Sequence, residues 1–395
     1  MGLLLCGQAQ AQERVITPSA WDWRLGGTLQ GDALLASSLP EDQNKSTELR
    51  RARIGARLVL SEAVRFSASA DFSQGERLGD LFFDVRRGPV SFNIGRFPEP
   101  FGLQAQESSR TTPLMERALP TALGPGYGLG AAFNHAGRNW ALSAGLFKAH
   151  GALSDEDLLK GGRKEDAATV RLTGTAFRSP ERVLHLGLAG SLRRPDEEAV
   201  RFISIPESVL VRGLQVSSGL LPVDDFYTLI GGELALRQGP VLLQGEFIRA
   251  AIRLDSELPE SRYYGGYAEA AWAITGERRP YSSRAGVFGP ITPQSRWNEG
   301  RFGAWEVAAR YSQVDFSKNP LEDIEGFEEF DDFGLFTGGR GRVLSLGLNW
   351  YPTALTRVAL NGLRIVKQRE GVREEADVVQ MRVYIQFDVR RSDLE

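Results

Sequence analysis

The fold is read outward from RARIGARLVL, residues 51–60. Arg51, Arg53, Gly55 and Arg57 alternate with Ala52, Ile54, Ala56, Leu58 and Leu60. Successive side chains of a strand point to opposite faces. One face of this strand is therefore apolar, and the other carries three guanidinium groups. A soluble sandwich with its arginine face in water has the same pattern, so these residues alone leave two readings.

Repetition of the pattern separates them. Val64, Phe66, Ala68, Ala70 and Phe72 alternate with Arg65, Ser67, Ser69 and Asp71. Leu344, Leu346, Leu348 and Trp350 alternate with Ser345, Gly347 and Asn349. Val379, Met381, Val383, Ile385 and Phe387 alternate with Gln380, Arg382, Tyr384 and Gln386. A sandwich has a dry interior and draws its apolar face inward. A wide barrel has a wet lumen and turns that face outward to lipid. Sixteen such segments begin near Trp21, Leu49, Ala63, Asp80, Pro89, Tyr127, Asn139, Asp166, Arg182, Asp225, Pro240, Arg262, Arg301, Gly341, Thr356 and Asp377. The reading is an all-β transmembrane antiparallel barrel of about 16 strands, both termini on one side.

Short connections fall at Ser61-Glu62, Arg87-Gly88, Ala136-Gly137-Arg138, Ser179-Pro180-Glu181, Gln238-Gly239 and Pro352-Thr353, with longer ones between them. That polarity is expected of an outer-membrane barrel. Glu277 to Gly300 breaks it, being long where a short turn is due. Either the turn is long or the strand count slips there. Pro98–Gly126, after the fifth strand, has the place and length of a loop folded into the lumen. Arg194–Asp224 is long enough for an extra strand-like piece. Pro320–Gly339 holds the acidic run at 322–332, read as a solvated outer loop or as a bridge to divalent cations and lipopolysaccharide.

Composition agrees. The chain has 395 residues, 25% of them charged, and a formal charge of -3. Mean hydropathy is -0.24. No stretch reaches the roughly 18 apolar residues of a membrane helix. Nothing in the overall charge draws nucleic acid. Residues 1–11 read as the remnant of a secretory signal, with Leu3-Leu4-Leu5 before an Ala9-Gln10-Ala11 cleavage site. Residues 12–395 read as one barrel domain. The only cysteine, Cys6, falls in the leader, which suits export past an oxidising compartment.

Arginines outnumber lysines 41 to 6. Guanidinium groups bind oxyanions through a planar fork. A GC-rich genome produces the same bias. Catalysis needs a nucleophile beside a base, and neither spacing nor topology brings His135, His150 or His185 beside a serine. No enzyme is expected. A His/Cys metal site lacks ligands, no GxxxxGK phosphate loop is present, and no cofactor is expected.

Several segments resemble the phosphate-selective porin O and P family: ELRRARIGARL, FNIGRFPEPFGLQAQESSRTTPLMERALP, TGERRPY, GAWEVAARYS and LGLNWYP, in the family's order. The resemblance implies a sixteen-stranded outer-membrane barrel, usually a trimer, with a basic lumen. Arg50, Arg51 and Arg53 match the basic strand motif; alternation turns Arg51 and Arg53 inward and leaves Arg50 near the rim. Pro100, Phe101 and Gly102 match the turn into a constriction loop, and Ser108, Ser109, Arg110 and Arg117 its later part. That loop also carries Glu99, Glu107 and Glu116. Arg310, opposite Trp305, Val307, Ala309 and Tyr311, faces inward.

The expected function is passive diffusion of small anions, phosphate or polyphosphate among them, along Arg51, Arg53, Arg57, Arg110, Arg117 and Arg310. Asp71, Asp84, Glu246, Glu269 and Glu306 fall on the same luminal faces and are candidate partners that would make these arginines structural. The alternatives are a general diffusion channel and a structural barrel within a larger envelope assembly.

Overall fold

The computed structural model describes residues 22–73, 77–149, 165–196, 199–254, 259–295, 302–317, 338–369 and 371–390. The expected leader with Cys6, His150 and the acidic run at 322–332 lie outside the described residues.

Sixteen strands form the wall. They are β1 (Asp22–Ser37), β2 (Thr47–Val59), β3 (Val64–Asp71), β4 (Arg77–Arg87), β5 (Val90–Pro98), β6 (Tyr127–Ala136), β7 (Trp140–Ala149) and β8 (Glu165–Arg178). Then follow β9 (Arg182–Pro195), β10 (Leu221–Gln238), β11 (Val241–Leu254), β12 (Ser261–Ala273), β13 (Ala304–Asp315), β14 (Arg340–Thr353), β15 (Thr356–Arg369) and β16 (Val372–Arg390). Each pairs antiparallel with the next. β16 pairs with β1 from Arg390 opposite Arg24 to Val378 opposite Ser37, closing the cylinder. Closure leaves no open edge, the condition for strands in hydrocarbon. The largest offset from the expected starts is at β16, which begins at Val372 rather than Asp377. β16 also continues past Phe387 to Arg390, which pairs with Arg24.

The barrel is inside out. Leu346 on β14 is 59% exposed, while Ser345 and Asn349 on the opposite face are fully buried. On β9, Leu188 is 67% exposed and Arg193 is buried. Apolar residues face outward and polar ones inward, as a wet lumen in a lipid bilayer demands. Trp23, Trp140, Trp272, Trp305 and Trp350, every tryptophan among the described residues, sit at the strand ends on the side of the barrel that carries the short turns. Trp305 and Trp350 stack there, ring centroids 5.9 Å apart. Such a belt marks a membrane–water boundary.

Gly88 and Gly239 turn tight connections with φ of 59° and 55°. A side chain at those angles is strained, which is why glycine stands there. The long link after β12 is a real long turn and the strand count holds. It carries a small hairpin, Tyr281–Ser282 paired with Val287–Phe288. The stretch between β9 and β10 contains the expected strand-like pieces: Ala199–Val200, Ile203–Ser204 and Val216–Ser217.

Candidate functional site

Two halves of the inner wall differ. On β8–β16 the inward polar side chains are mostly buried, Arg171, Glu246, Glu269, Glu306, Arg310 and Arg382 among them. Segment 98–126 covers most of them, reaching Glu246, Glu269, Arg310 and Arg382, whereas Arg171 lies under residues 285 and 286. Leu103 and Gln104 donate their backbone N–H groups to the two oxygens of Glu246, at 2.5 and 2.9 Å. Gly102 precedes them with φ of 72°, and a Cβ there would stand 2.8 Å from Glu246 Oε1. This explains the Pro100-Phe101-Gly102 turn: only glycine fits both the angle and the approach.

The segment is pinned at further points. Arg279 Nη1 donates to the Thr111 carbonyl at 2.6 Å, and Arg357 to the carbonyls of Thr112 and Pro113 at 2.8 and 2.7 Å. Arg382 donates to the Met115 carbonyl at 2.5 Å and also grips Glu116 and Asp32. Gln30 on β1 donates to Ser109 Oγ at 3.1 Å. Ser108 keeps a local role, its carbonyl accepting from the Thr111 N–H at 2.8 Å. The residues after β9 pack on this layer: Phe202, Val211 and Val216 share a core with Phe101, Leu119 and Leu123. Glu207, at φ 55°, is buried and accepts from Arg310, Ser312 and Ser345. The sequence carries no signal for Glu207, because neither the strained backbone nor its three distant partners leave a local pattern.

The loop carboxylates are consumed in these anchors. Glu99 pairs with Arg193 at 2.8 Å, and Glu116 with Arg50 at 2.8 Å. Against burial, the charges of Arg50 and Arg382 hold Glu116 well below the usual carboxylate range. Glu107 differs: it is buried, and no donor among the described residues reaches its Oε2.

The wall from β1 to β4, with the last residues of β16 beside it, stays accessible. Arg51 and Arg53 both approach Asp71, at 3.3 and 3.8 Å. Arg65 and Arg86 share Asp84, at 3.6 and 2.8 Å. Arg24 and Arg390 share Asp388, at 2.5 and 3.7 Å. Arg57, exposed, has no ion pair among the described residues. Each of these aspartates thus meets two guanidinium groups, so positive charge is in excess. Along β2, Arg57, Arg53 and Arg51 share the inward face, and two-residue steps are roughly 7 Å.

Of the expected pathway residues, Arg51, Arg53 and Arg57 line this accessible wall. Arg110 lies beside Arg24 and Asp388; burial and Arg24 hold its guanidinium below the usual range, with Asp388 opposing. Arg117 is exposed but turns back on its own segment, donating to the Glu107 carbonyl at 2.9 Å. Arg310 faces inward as alternation requires, yet it is 1% exposed and bound to Glu207 and Glu269 at 2.5 and 3.1 Å. It meets no accessible lumen. Arg50 departs from its expected rim position. The register of β1 against β2 jumps from Gln30–Arg51 to Gly31–Leu49, leaving Arg50 as a bulge. A bulge re-aims its side chain, and Arg50 turns inward to Glu116. Arg65 and Arg86 were findable from the same alternation that marks Arg51.

His135 stacks on Trp140, centroids 4.8 Å apart. His185 is buried between Glu233 and the Tyr281 hydroxyl, at 3.1 and 2.8 Å. It helps hold the hairpin of the long link. Arg171 pairs with Glu233 at 2.7 Å and donates to the Ala285 and Gly286 carbonyls. Arg284 of the same hairpin reaches the Gly88 carbonyl at 3.3 Å, so the hairpin spans the short-turn mouth.

A family model described as "Phosphate-selective porin O and P" matches residues 24–390, the whole wall from β1 to β16. The chain belongs to this family. It is a porin of the outer membrane, and family and fold point to a channel rather than an enzyme. Porin O of Pseudomonas aeruginosa strain PAO1 is 24% identical over 382 residues, 88% of this chain and 83% of that protein. An uncharacterized protein of Caulobacter vibrioides is 26% identical over 324 residues, 80% of this chain and 62% of that protein. Among solved structures, the anion-selective porin from Comamonas acidovorans superposes with a TM-score of 0.57 at 11% identity, covering 93% of this porin and 100% of that chain. OmpT of Vibrio cholerae, in its trimer form, gives 0.52 at 10% identity, covering 93% and 99%. At those identities the likeness is one of fold. The short turns of this porin accordingly face the periplasm and the long loops the exterior.

Proposed function

We propose that this porin passes small anions by passive diffusion, phosphate-class oxyanions preferred, between segment 98–126 and the β1–β4 wall. Segment 98–126 is the constriction in this reading. The observation that carries it is the sharing of Asp71, Asp84 and Asp388 each by two arginines, with Arg57 unpaired among the described residues. Fixed charge at close quarters selects ions, provided binding stays weak enough for release. Two unit charges about 4 Å apart interact by roughly 1 kcal/mol in bulk water and roughly 4 at an effective dielectric of 20. A row of similar sites lets an anion pass from one arginine to the next without a deep trap. Guanidinium forks also match phosphate oxygens.

Arg24, Arg51, Arg53, Arg57, Arg65, Arg86 and Arg110 line the path; Arg310 holds the constriction in place. The working form is a homotrimer, as the family resemblance implies. Single-channel recording in planar bilayers tests the function. Anion-selective steps blocked by added phosphate are expected. Chloride current without phosphate block would make it a general diffusion channel, and absence of conductance a structural barrel.

A further inference from the structure

The lipid-facing surface is uneven between β7 and β11. It sinks there into an apolar groove of about 970 Å³. Its floor is bare backbone. Gly174, Gly232 and Gly245 point outward, because their neighbours Thr173, Glu233 and Glu246 are buried in the lumen. Each glycine sits between larger outward side chains on the adjoining strands. Trp140 and Leu186 flank Gly174, and Leu188 and Phe247 flank Gly232. A Cβ built on Gly232 meets nothing within 4 Å. The result is a slot in the apolar surface with walls of leucine, phenylalanine and tryptophan, crossing β9 at Gly187 between Leu186 and Leu188.

The slot has a polar end. Gly174 lies where the turn 137–139 meets β8; a Cβ there would stand 3.5 Å from the Asn139 carbonyl oxygen. That turn carries Arg138. Arg182 stands on the outward face of β9, four residues before Leu186, or roughly 13 Å at about 3.3 Å per residue. Both arginines are exposed, and neither guanidinium has a partner among the described residues. The nearby Glu181 is taken by Arg278 at 2.6 Å. Trp140 fixes this end at the periplasmic boundary of the bilayer.

We propose that the groove is a seat for an anionic phospholipid of the periplasmic leaflet, an acyl chain over the glycines and the phosphate at Arg138 and Arg182. A slot open to hydrocarbon fills with methylenes, since an empty one forfeits dispersion contacts on one side. A basic pair at the headgroup level then chooses the charge of the lipid. The slot suits a chain better than the flat wall of a second copy. Its position at the short-turn end selects the inner leaflet rather than lipopolysaccharide.

Native mass spectrometry of the full chain, extracted in mild detergent, tests this with phosphatidylglycerol, phosphatidylethanolamine and lipid A as probes. Phosphatidylglycerol is expected to be retained roughly fivefold or more over the other two. Arg138→Gln with Arg182→Gln abolishes that preference. Gly232→Leu lowers retention of phosphatidylglycerol. Heat-modifiable electrophoretic mobility checks that each barrel is folded; the two rim substitutions keep the test decisive if Gly232→Leu does not fold. Equal retention of all three lipids by the unaltered protein would overturn the proposal. So would a Gly232→Leu protein that keeps its lipid but loses subunits, because the groove would then be a contact between copies.

Discussion

Arg193 on β9 holds Glu99, the first residue after β5, through two hydrogen bonds of 2.8 and 3.0 Å. Both side chains are buried, and the same guanidinium also meets Glu165 at 2.7 Å. Removing one partner of a buried pair leaves an uncompensated charge, at a cost of about 3–5 kcal/mol. Arg193→Leu strands two carboxylates. It is expected to lower the unfolding free energy of the refolded porin by that amount, measured by guanidinium chloride titration followed by tryptophan fluorescence. Arg193→Leu with Glu99→Leu recovers part of the loss, because one stranded charge is gone. A single variant as stable as the parent would show that Arg193 is not an anchor.

Arg57 and Arg310 separate conduction from support. Arg57 is exposed on the inward face of β2; Arg310 is buried against Glu207 and Glu269. Arg57→Gln is expected to reduce the anion-to-cation permeability ratio roughly fivefold, the equivalent of about 1 kcal/mol in a wet lumen. Its thermal stability stays near that of the parent. Arg310→Gln does the reverse on stability, leaving two carboxylates without their cation. Reversal potentials in a salt gradient, with melting curves on the same preparations, check both halves.

Glu107 supplies a pH dependence. Burial, with Glu269 beside it, pushes its carboxyl up to about 8, against the pull of Arg279; Glu246 adds to the rise and Arg117 opposes it. The folded segment therefore favours the protonated acid, whereas a released segment ionises at the ordinary value near 4.3. The attachment contributed by this group is full below that value and is lost as pH rises through about 8. Hydrogen exchange of residues 103–118 is expected to speed up beyond the intrinsic chemical rate as pH rises from about 5 to about 8, and to follow the intrinsic rate above that. Glu107→Gln removes that extra increase. An unchanged profile in the variant would assign the effect elsewhere.

The hairpin at 281–288 narrows the periplasmic mouth. It is held by Arg171 through the Ala285 and Gly286 carbonyls and by the Tyr281 hydroxyl on His185. Replacing residues 281–288 by a short glycine link is expected to raise single-channel conductance, since the span to Gly88 is removed. Conductance equal to the parent would place the narrowest point at segment 98–126 alone.

The wall was legible in the sequence. Period-two alternation, turn residues such as Gly88 and Gly239, and the order of the family's motifs were enough for strand number, facing and closure. These are local signals: a strand states its two faces residue by residue. Arg51, Arg53 and Arg57 were legible for the same reason, and Arg65 and Arg86 stand in the same kind of pattern. Which inward arginine remains accessible was a different matter. Arg310 and Arg57 have the same alternation, and the difference between them is made by Glu207, which is 103 residues away from Arg310. Arg50 was read as a rim residue because alternation assumes an unbroken ladder; the bulge that turns it inward exists only in the pairing of β1 with β2. Sequence by itself therefore determined a closed wall with greasy outside and charged inside, because strand geometry is set by adjacent residues. Tertiary structure alone decided where that charge is neutralised and where it is free, because ion pairing depends on which distant segments the closed wall brings within a few ångströms.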